Sequence, residues 1–102
     1  MKRYRVSPEA RDDLKRISLY IAAEQESPLG ANRLRERFLD CFQRLAESPF
    51  TGQACSEFGE SVRIWPVENY VALYMPQDNG IDIIQVAHGA RDLPAVVRRP
   101  AQ

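Results

Sequence analysis

The chain has 102 residues, 44% of them hydrophobic and 27% charged, which suffices for one domain with its own core and is too apolar for a disordered protein. Its 14 basic and 14 acidic residues leave a net charge of zero, so the overall charge gives no reason to expect direct sequence-specific nucleic-acid binding. No apolar run approaches the roughly 18 residues that a membrane span requires, and we expect a cytoplasmic protein. We expect a single domain over residues 1–102, with residues 95–102 forming a flexible tail.

The first segment of the chain predicts a short strand followed by a helix. In "YRVSPEA", Tyr4 and Val6 alternate with arginines, Ser7 is placed to cap a helix, and Pro8 suits the first helical position. An apolar stripe then recurs at helical spacing and consists of Ala10, Leu14, Ile17 and Ile21. This pattern predicts an amphipathic helix that ends near residue 24, with Asp12 and Arg16 paired on its exposed side.

The second segment repeats this opening, with Ser27 as the cap and Pro28 as the entry residue. It predicts a helix of about five turns with one apolar face, formed by Ala31, Leu34, Phe38, Cys41, Phe42 and Leu45. Its other face carries charged residues that we interpret as solvated rather than as a binding stripe: Arg33, Arg37, Asp40 and Arg44. Because so few residues join the two helices, they should form an antiparallel hairpin.

After a polar loop, the period of the sequence changes to two. The runs "VRIWPV", "YVALYM" and "IDIIQV" predict three strands in an antiparallel meander, which the N-terminal strand joins at an edge. The predicted fold is therefore α+β, with one four-stranded sheet packed on the helical hairpin. We expect the helices to cover the aliphatic face of the sheet, formed by Val62, Ile64, Val71, Leu73 and Met75.

The opposite face of this sheet is the candidate binding surface. It would carry Arg63, Trp65, Tyr70 and Tyr74, which are residue types that dominate protein interfaces. The alternative is that loops or the C-terminal tail fold over these aromatic side chains, and the sequence leaves both possibilities open.

The segment "VAHGARDLP" contains the only histidine of the chain, His88, close to Arg91 and Asp92. A histidine base with Arg63 and Arg91 as cations could cleave RNA. We favour a structural role, in which His88 bonds a carbonyl group and Arg91 pairs with an acid, because a nuclease site also needs an acid or a second cation around the phosphate, and Arg63 is the only other basic side chain between residues 53 and 97. The net charge of −4 over residues 57–92 also disfavours a phosphate-binding face.

The sequence gives no indication of a metal or another cofactor. Cys41 and Cys55 lack the spacing of a metal site, and one histidine cannot complete such a site. No nucleophile motif or phosphate-binding glycine loop is present. We therefore expect neither metal nor cofactor.

The order of these elements resembles that of the RelE/ParE toxins from type II toxin–antitoxin systems. The resemblance covers residues 3–94 and depends on "YRVSPEARDDLKRISLYI", "RLAESPFTG", "VRIWPVENYVALYM" and "IDIIQVAHGARDLP". It implies a four-stranded antiparallel sheet on a helical hairpin, and a cognate antitoxin. The helical entry "SPEA", the long second helix and the "HGARD" ending look more like the ParE branch.

A ParE-like identity implies a toxin that inhibits DNA gyrase, arrests growth and serves in plasmid stabilisation. Its partner would be a ParD-like antitoxin with a disordered arm that folds on binding. The expected contacts with antitoxin or target are Arg63, Trp65, Tyr70, Tyr74 and Arg91. The RelE branch implies instead a ribosome-dependent mRNA endonuclease with Arg63, His88 and Arg91 at its site; an inactive relic is a third possibility.

Overall fold

The computed structural model describes residues 2–24 and 27–90. In chain order its elements are β1 (Arg3–Val6), α1 (Pro8–Glu24), α2 (Pro28–Glu47), β2 (Gln53–Ala54), a short 3-10 helix (Ser56–Phe58), β3 (Arg63–Val67), β4 (Tyr70–Gln77) and β5 (Gly80–His88). Arg91, Asp92 and the expected tail over 95–102 lie outside the described residues. Neither α1 nor α2 is long and apolar enough to cross a membrane.

Both helices begin at the prolines that the sequence indicates, and the preceding serines cap them. The Ser7 hydroxyl accepts a hydrogen bond from the Ala10 N–H at 3.0 Å, and the Ser27 hydroxyl accepts one from the Gly30 N–H at 3.0 Å. Each bond satisfies a backbone donor that the first turn of a helix leaves without a partner. The predicted helix starts are therefore confirmed.

The sheet has five strands in the order β1-β5-β4-β3-β2, and β1 runs parallel to β5 while the other pairs are antiparallel. The edge position of β1 is as predicted, and so is the α+β class. The expected count of four strands and the all-antiparallel arrangement are wrong. Strand β2 has only two residues, too few to show a periodic pattern, and no short turn fixes the direction of β1 relative to β5.

The helices cover the opposite face of the sheet from the one predicted. Tyr74 is 0% exposed and Tyr70 is 8% exposed, and the Tyr70 ring packs 5.9 Å from that of Phe38 in α2. The expected open surface of aromatic residues is therefore wrong for these two tyrosines. Both alternating sets of β4 residues are apolar, so the pattern of this central strand cannot show which set faces the helices.

A β-bulge in β5 joins the sheet to α1. The pairing shifts from Leu73–Gln85 to Tyr74–Ile83, which leaves Ile84 as the extra residue. The Ser7 hydroxyl donates to the Ile84 carbonyl oxygen at 3.2 Å, and Asp13 Oδ2 accepts from the Val86 N–H at 3.0 Å. The N-cap and the start of α1 thus supply hydrogen-bond partners for two backbone groups of β5 at and just beyond the bulge.

Candidate functional site: a groove beside the second helix

A groove of about 480 Å³ separates α2 from the end of β3. We call it the α2–β3 groove; its lining includes Arg37, Cys41, Arg44, Trp65, Val67 and Glu68. At this end of the sheet, β2 pairs with only Arg63 and Ile64 of β3, and apart from β4 no other described strand lies beside the rest of β3.

Trp65 is the predicted contact residue that the structure places in this groove. It lies opposite Ala72, a residue of the helix-facing core, so its indole is on the helix side of the sheet. Trp65 is half-buried and packs against the core without being enclosed by it. A large aromatic ring with one accessible side is a typical anchor for a binding partner.

Tyr74 and Arg63 hold the segment that follows α2. The Tyr74 hydroxyl donates to the Pro49 carbonyl oxygen at 2.7 Å and accepts from the Gly52 N–H at 2.8 Å. Arg63 donates to the carbonyl oxygens of Gly52 and Phe50, and its guanidinium lies 4.9 Å from the centre of the Phe50 ring. These contacts are internal to the domain.

The pKa shifts near the groove favour neutral side chains. The pKa of Cys41 is raised to about 11, mainly by burial and also by the charge of Asp40, while Arg44 partly opposes the shift. Burial also raises the pKa of Tyr74, while the hydrogen bond with Gly52 and the charge of Arg63 act to lower it. Cys41 is therefore a thiol near pH 7 and not an activated nucleophile.

The second cysteine behaves in the same way, because burial and the charge of Glu57 raise the pKa of Cys55. Within residues 2–24 and 27–90, no three His, Cys, Asp or Glu side chains are grouped so that they could hold a metal ion. The described part of the chain therefore offers binding contacts rather than a metal centre or a reactive thiolate.

The structure separates Arg63 from His88. His88 lies at the end of β5 opposite Tyr70, with the two rings 5.3 Å apart, whereas Arg63 lies opposite Tyr74. The two β4 residues that they oppose are four positions apart, and β3 and β5 are two strand spacings apart across the sheet. Arg63 and His88 are therefore roughly 16 Å apart. They do not converge on one phosphate, and Arg91 lies outside the described residues.

Two ion pairs at the groove are features that the sequence interpretation missed. Arg37 Nε lies 3.0 Å from Glu68 Oε2, and Arg44 Nε lies 3.3 Å from Asp40 Oδ2. The signal in the sequence that could have indicated these ion pairs is the position of Arg37 and Arg44 on the same side of α2. The turn residue Glu68, with a φ of 56°, could not be placed opposite them without the tertiary fold.

The fold is that of a known toxin–antitoxin structure. The chain matches one chain of the structure described as "Chromosomal ParDE TA system from P. aeruginosa" with a TM-score of 0.69 and 18% identity, over 86% of this chain and 96% of that chain. A family model described as "ParE toxin of type II toxin-antitoxin system, parDE" matches residues 4–93. The chain therefore belongs to the ParE toxin family. Comparison with curated protein sequences gave no match.

Proposed function

We propose that this chain inhibits DNA gyrase and thereby arrests growth, and that a cognate ParD-like antitoxin neutralises it. The observation that carries the proposal is the match to the ParE toxin model over residues 4–93. Toxicity then depends on binding, with no bond chemistry performed by the toxin itself.

The arrangement of the basic residues supports a binding mechanism over mRNA cleavage. A nuclease needs its base and its cations around one phosphate. Arg63 donates hydrogen bonds to the carbonyl oxygens of Phe50 and Gly52. His88, which lies two strands away from Arg63, packs against Tyr70. Both residues therefore have structural contacts on the helix side of the sheet.

The α2–β3 groove is our candidate for the antitoxin site. A disordered arm must offset its ordering entropy by burying apolar surface, and Trp65 provides such surface beside Val67 and Cys41. The exposed arginines Arg37 and Arg44 at the groove could exchange their intramolecular partners for acids of the arm.

The test is a gyrase assay run beside a translation assay. Purified toxin is added to gyrase with supercoiled DNA and, separately, to ribosomes programmed with mRNA. We expect lost supercoiling and accumulated gyrase-cleaved DNA with intact mRNA, and the same result for His88→Gln. Arg35→Gln, an exposed change on α2, is the matched control for both reactions. Cleaved mRNA with unaffected gyrase would show that the proposal is wrong.

A further inference from the structure

The turn that follows α2 carries an exposed aromatic ring. Phe50 is 71% exposed, although burying such a side chain would favour folding. In this turn the Thr51 N–H donates to the Ser48 carbonyl oxygen at 3.1 Å, so Pro49 and Phe50 are its two central residues. Proline suits the first central position because its φ is already fixed. We call residues 48–51 the Phe50 turn.

Two side chains of the sheet hold the backbone of the Phe50 turn in place. The Tyr74 hydroxyl bonds the Pro49 carbonyl oxygen and the Gly52 N–H, and Arg63 donates to the carbonyl oxygens of Phe50 and Gly52. A Cβ at position 52 would lie 2.4 Å from the Tyr74 hydroxyl oxygen, so this close approach requires glycine. Surface loops are usually more mobile than the elements that they connect, whereas this one is bonded to the sheet at both ends.

The Phe50 ring itself is oriented by Arg63. The guanidinium carbon lies 4.9 Å from the ring centre, which is a cation–π distance, and most of the ring surface stays exposed. Within the part of the chain that the structure describes, both hydrogen bonds of Arg63 start from Nη1. Its Nε and Nη2 groups can therefore donate to oxygen atoms of a partner that surrounds the ring.

Other exposed apolar side chains lack this fixed setting. Leu19 and Leu29 are 62% and 83% exposed and lie on the surfaces of α1 and α2, as scattered apolar residues commonly do. The ordering of the Phe50 turn is already complete when the toxin folds, so a partner that binds the ring loses little affinity to ordering entropy. A rigid aromatic side chain of this kind is typical of an interface anchor.

We propose that Phe50 inserts into an apolar pocket of a folded partner protein. If the function proposed above holds, this partner is DNA gyrase. A ring that projects from a tight turn is buried only by a concave surface, and pockets that are largely preformed belong to folded proteins. A disordered antitoxin arm fits the α2–β3 groove instead, whose lining includes Ser48 and Thr51 but not Phe50.

The charges beside the Phe50 turn favour a protein partner over a nucleic acid. An aromatic ring can stack on a base, but proteins that bind single strands in this way also supply a positively charged groove for the phosphates. Residues 45–62 contain three acidic residues and no lysine or arginine. The turn therefore offers an apolar anchor without the cations that a nucleic acid requires.

The test measures the affinity of the fluorescently labelled full chain for the gyrase holoenzyme. We expect Phe50→Ala to bind gyrase at least about thirtyfold more weakly than the native chain, as the loss of an aromatic hot spot predicts. Its affinity for the antitoxin and its midpoint of urea unfolding should stay unchanged. Leu29→Ala is the matched control for exposed apolar surface and should bind gyrase like the native chain. Phe50→Gln serves if Phe50→Ala does not fold.

A gyrase affinity of Phe50→Ala within about threefold of the native value would overturn the proposal. An equal loss of antitoxin affinity would also overturn it, because the ring would then belong to the antitoxin contact. If the native chain does not bind gyrase, the function proposed above fails, and growth arrest on expression tests Phe50 separately. Arrest that Phe50→Ala abolishes would support insertion into another folded target, and arrest that persists would contradict it. A native chain that neither binds gyrase nor arrests growth would overturn both proposals.

Discussion

Trp65 is the residue on which the proposed antitoxin contact depends most. It is half-buried in the α2–β3 groove, so a partner can bury its remaining surface. We predict that Trp65→Ala weakens antitoxin binding by at least about 2 kcal/mol, as is typical of aromatic hot spots.

Calorimetric titration of the antitoxin into each toxin variant measures this change. Arg35→Ala, on an exposed part of α2, is the control and should leave the affinity unchanged. A loss below about 0.5 kcal/mol for Trp65→Ala would remove Trp65 from the contact.

Tyr74 has a different role, because its hydroxyl binds two backbone groups of the loop after α2. Tyr74→Phe leaves the Gly52 N–H and the Pro49 carbonyl oxygen without this partner. We predict a loss of about 1–3 kcal/mol in the free energy of unfolding, measured in urea. Tyr4→Phe is the control, since the Tyr4 hydroxyl has no hydrogen bond within the described residues, and an equal loss in both variants would contradict this role.

The raised pKa of Tyr74 also predicts how stability depends on pH. Burial favours the neutral phenol, so the folded state keeps its proton at a pH where the unfolded chain has lost it. This contribution is complete below the unfolded pKa of about 10 and is lost as the pH rises above it. Urea unfolding between pH 8 and 11 should show that the free energy of unfolding falls more steeply with pH for the native chain than for Tyr74→Phe. Identical slopes would contradict this contribution of Tyr74.

Among elements, the attachment of α1 to the bulge of β5 gives the sharpest stability test. Asp13 accepts from the Val86 N–H and pairs with Arg16, and its neighbour Asp12 is exposed. The predicted pair of Asp12 with Arg16 is therefore replaced by Asp13 with Arg16.

We predict that Asp13→Ala lowers the free energy of unfolding by about 1–3 kcal/mol, because it leaves a partly buried backbone N–H unpaired. Asp12→Ala should change it by less than about 0.5 kcal/mol, as exposed substitutions usually do. Thermal or urea unfolding of both variants makes the comparison, and similar losses would show that the Asp13 contact is unimportant.

Sequence patterns succeed for the elements whose signals are local. Ser7 and Ser27 mark both helix starts because a cap acts within one turn. The faces of β4 could not be assigned, because Tyr74 and Leu73 are both fully buried and adjacent in sequence. The bulge at Ile84 further shifts the alternation that the sequence suggests for β5, so Val86 and His88 join the helix side through their pairing with Ala72 and Tyr70.

For the molecule as a whole, Gly80 controls whether the N-terminal strand β1 can pair with β5. Its φ is +142°, and a Cβ there would collide with the Arg3 carbonyl oxygen. We predict that Gly80→Ala costs more than about 3 kcal/mol of stability and frees β1 from β5, since it combines backbone strain with a clash.

Gly89→Ala is the matched control, because the nearest atom to its Cβ would be the Asn69 carbonyl oxygen at 3.4 Å. Urea unfolding gives the stabilities, and hydrogen exchange at Arg3 and Arg5 reports the attachment of β1. Equal stabilities of the two variants would rule out this role for Gly80.

The site could be predicted from the sequence only in part, since its geometry belongs to the whole molecule. Trp65 and the ParE resemblance follow from local patterns. The α2–β3 groove, the separation of Arg63 from His88 and the edge position of β1 among the described strands depend instead on strand order and register, which pair residues far apart in the chain.

The pairing of β1 with β5 has a consequence for synthesis. The Ser7 hydroxyl donates to the carbonyl oxygen of a residue 77 positions later, so β1 cannot complete its contacts until β5 has been synthesised. During translation both helices can form early, but β1 cannot join the sheet until residue 84 has left the ribosome. The pairing of β1 with β5 therefore forms only after the chain has been synthesised through β5.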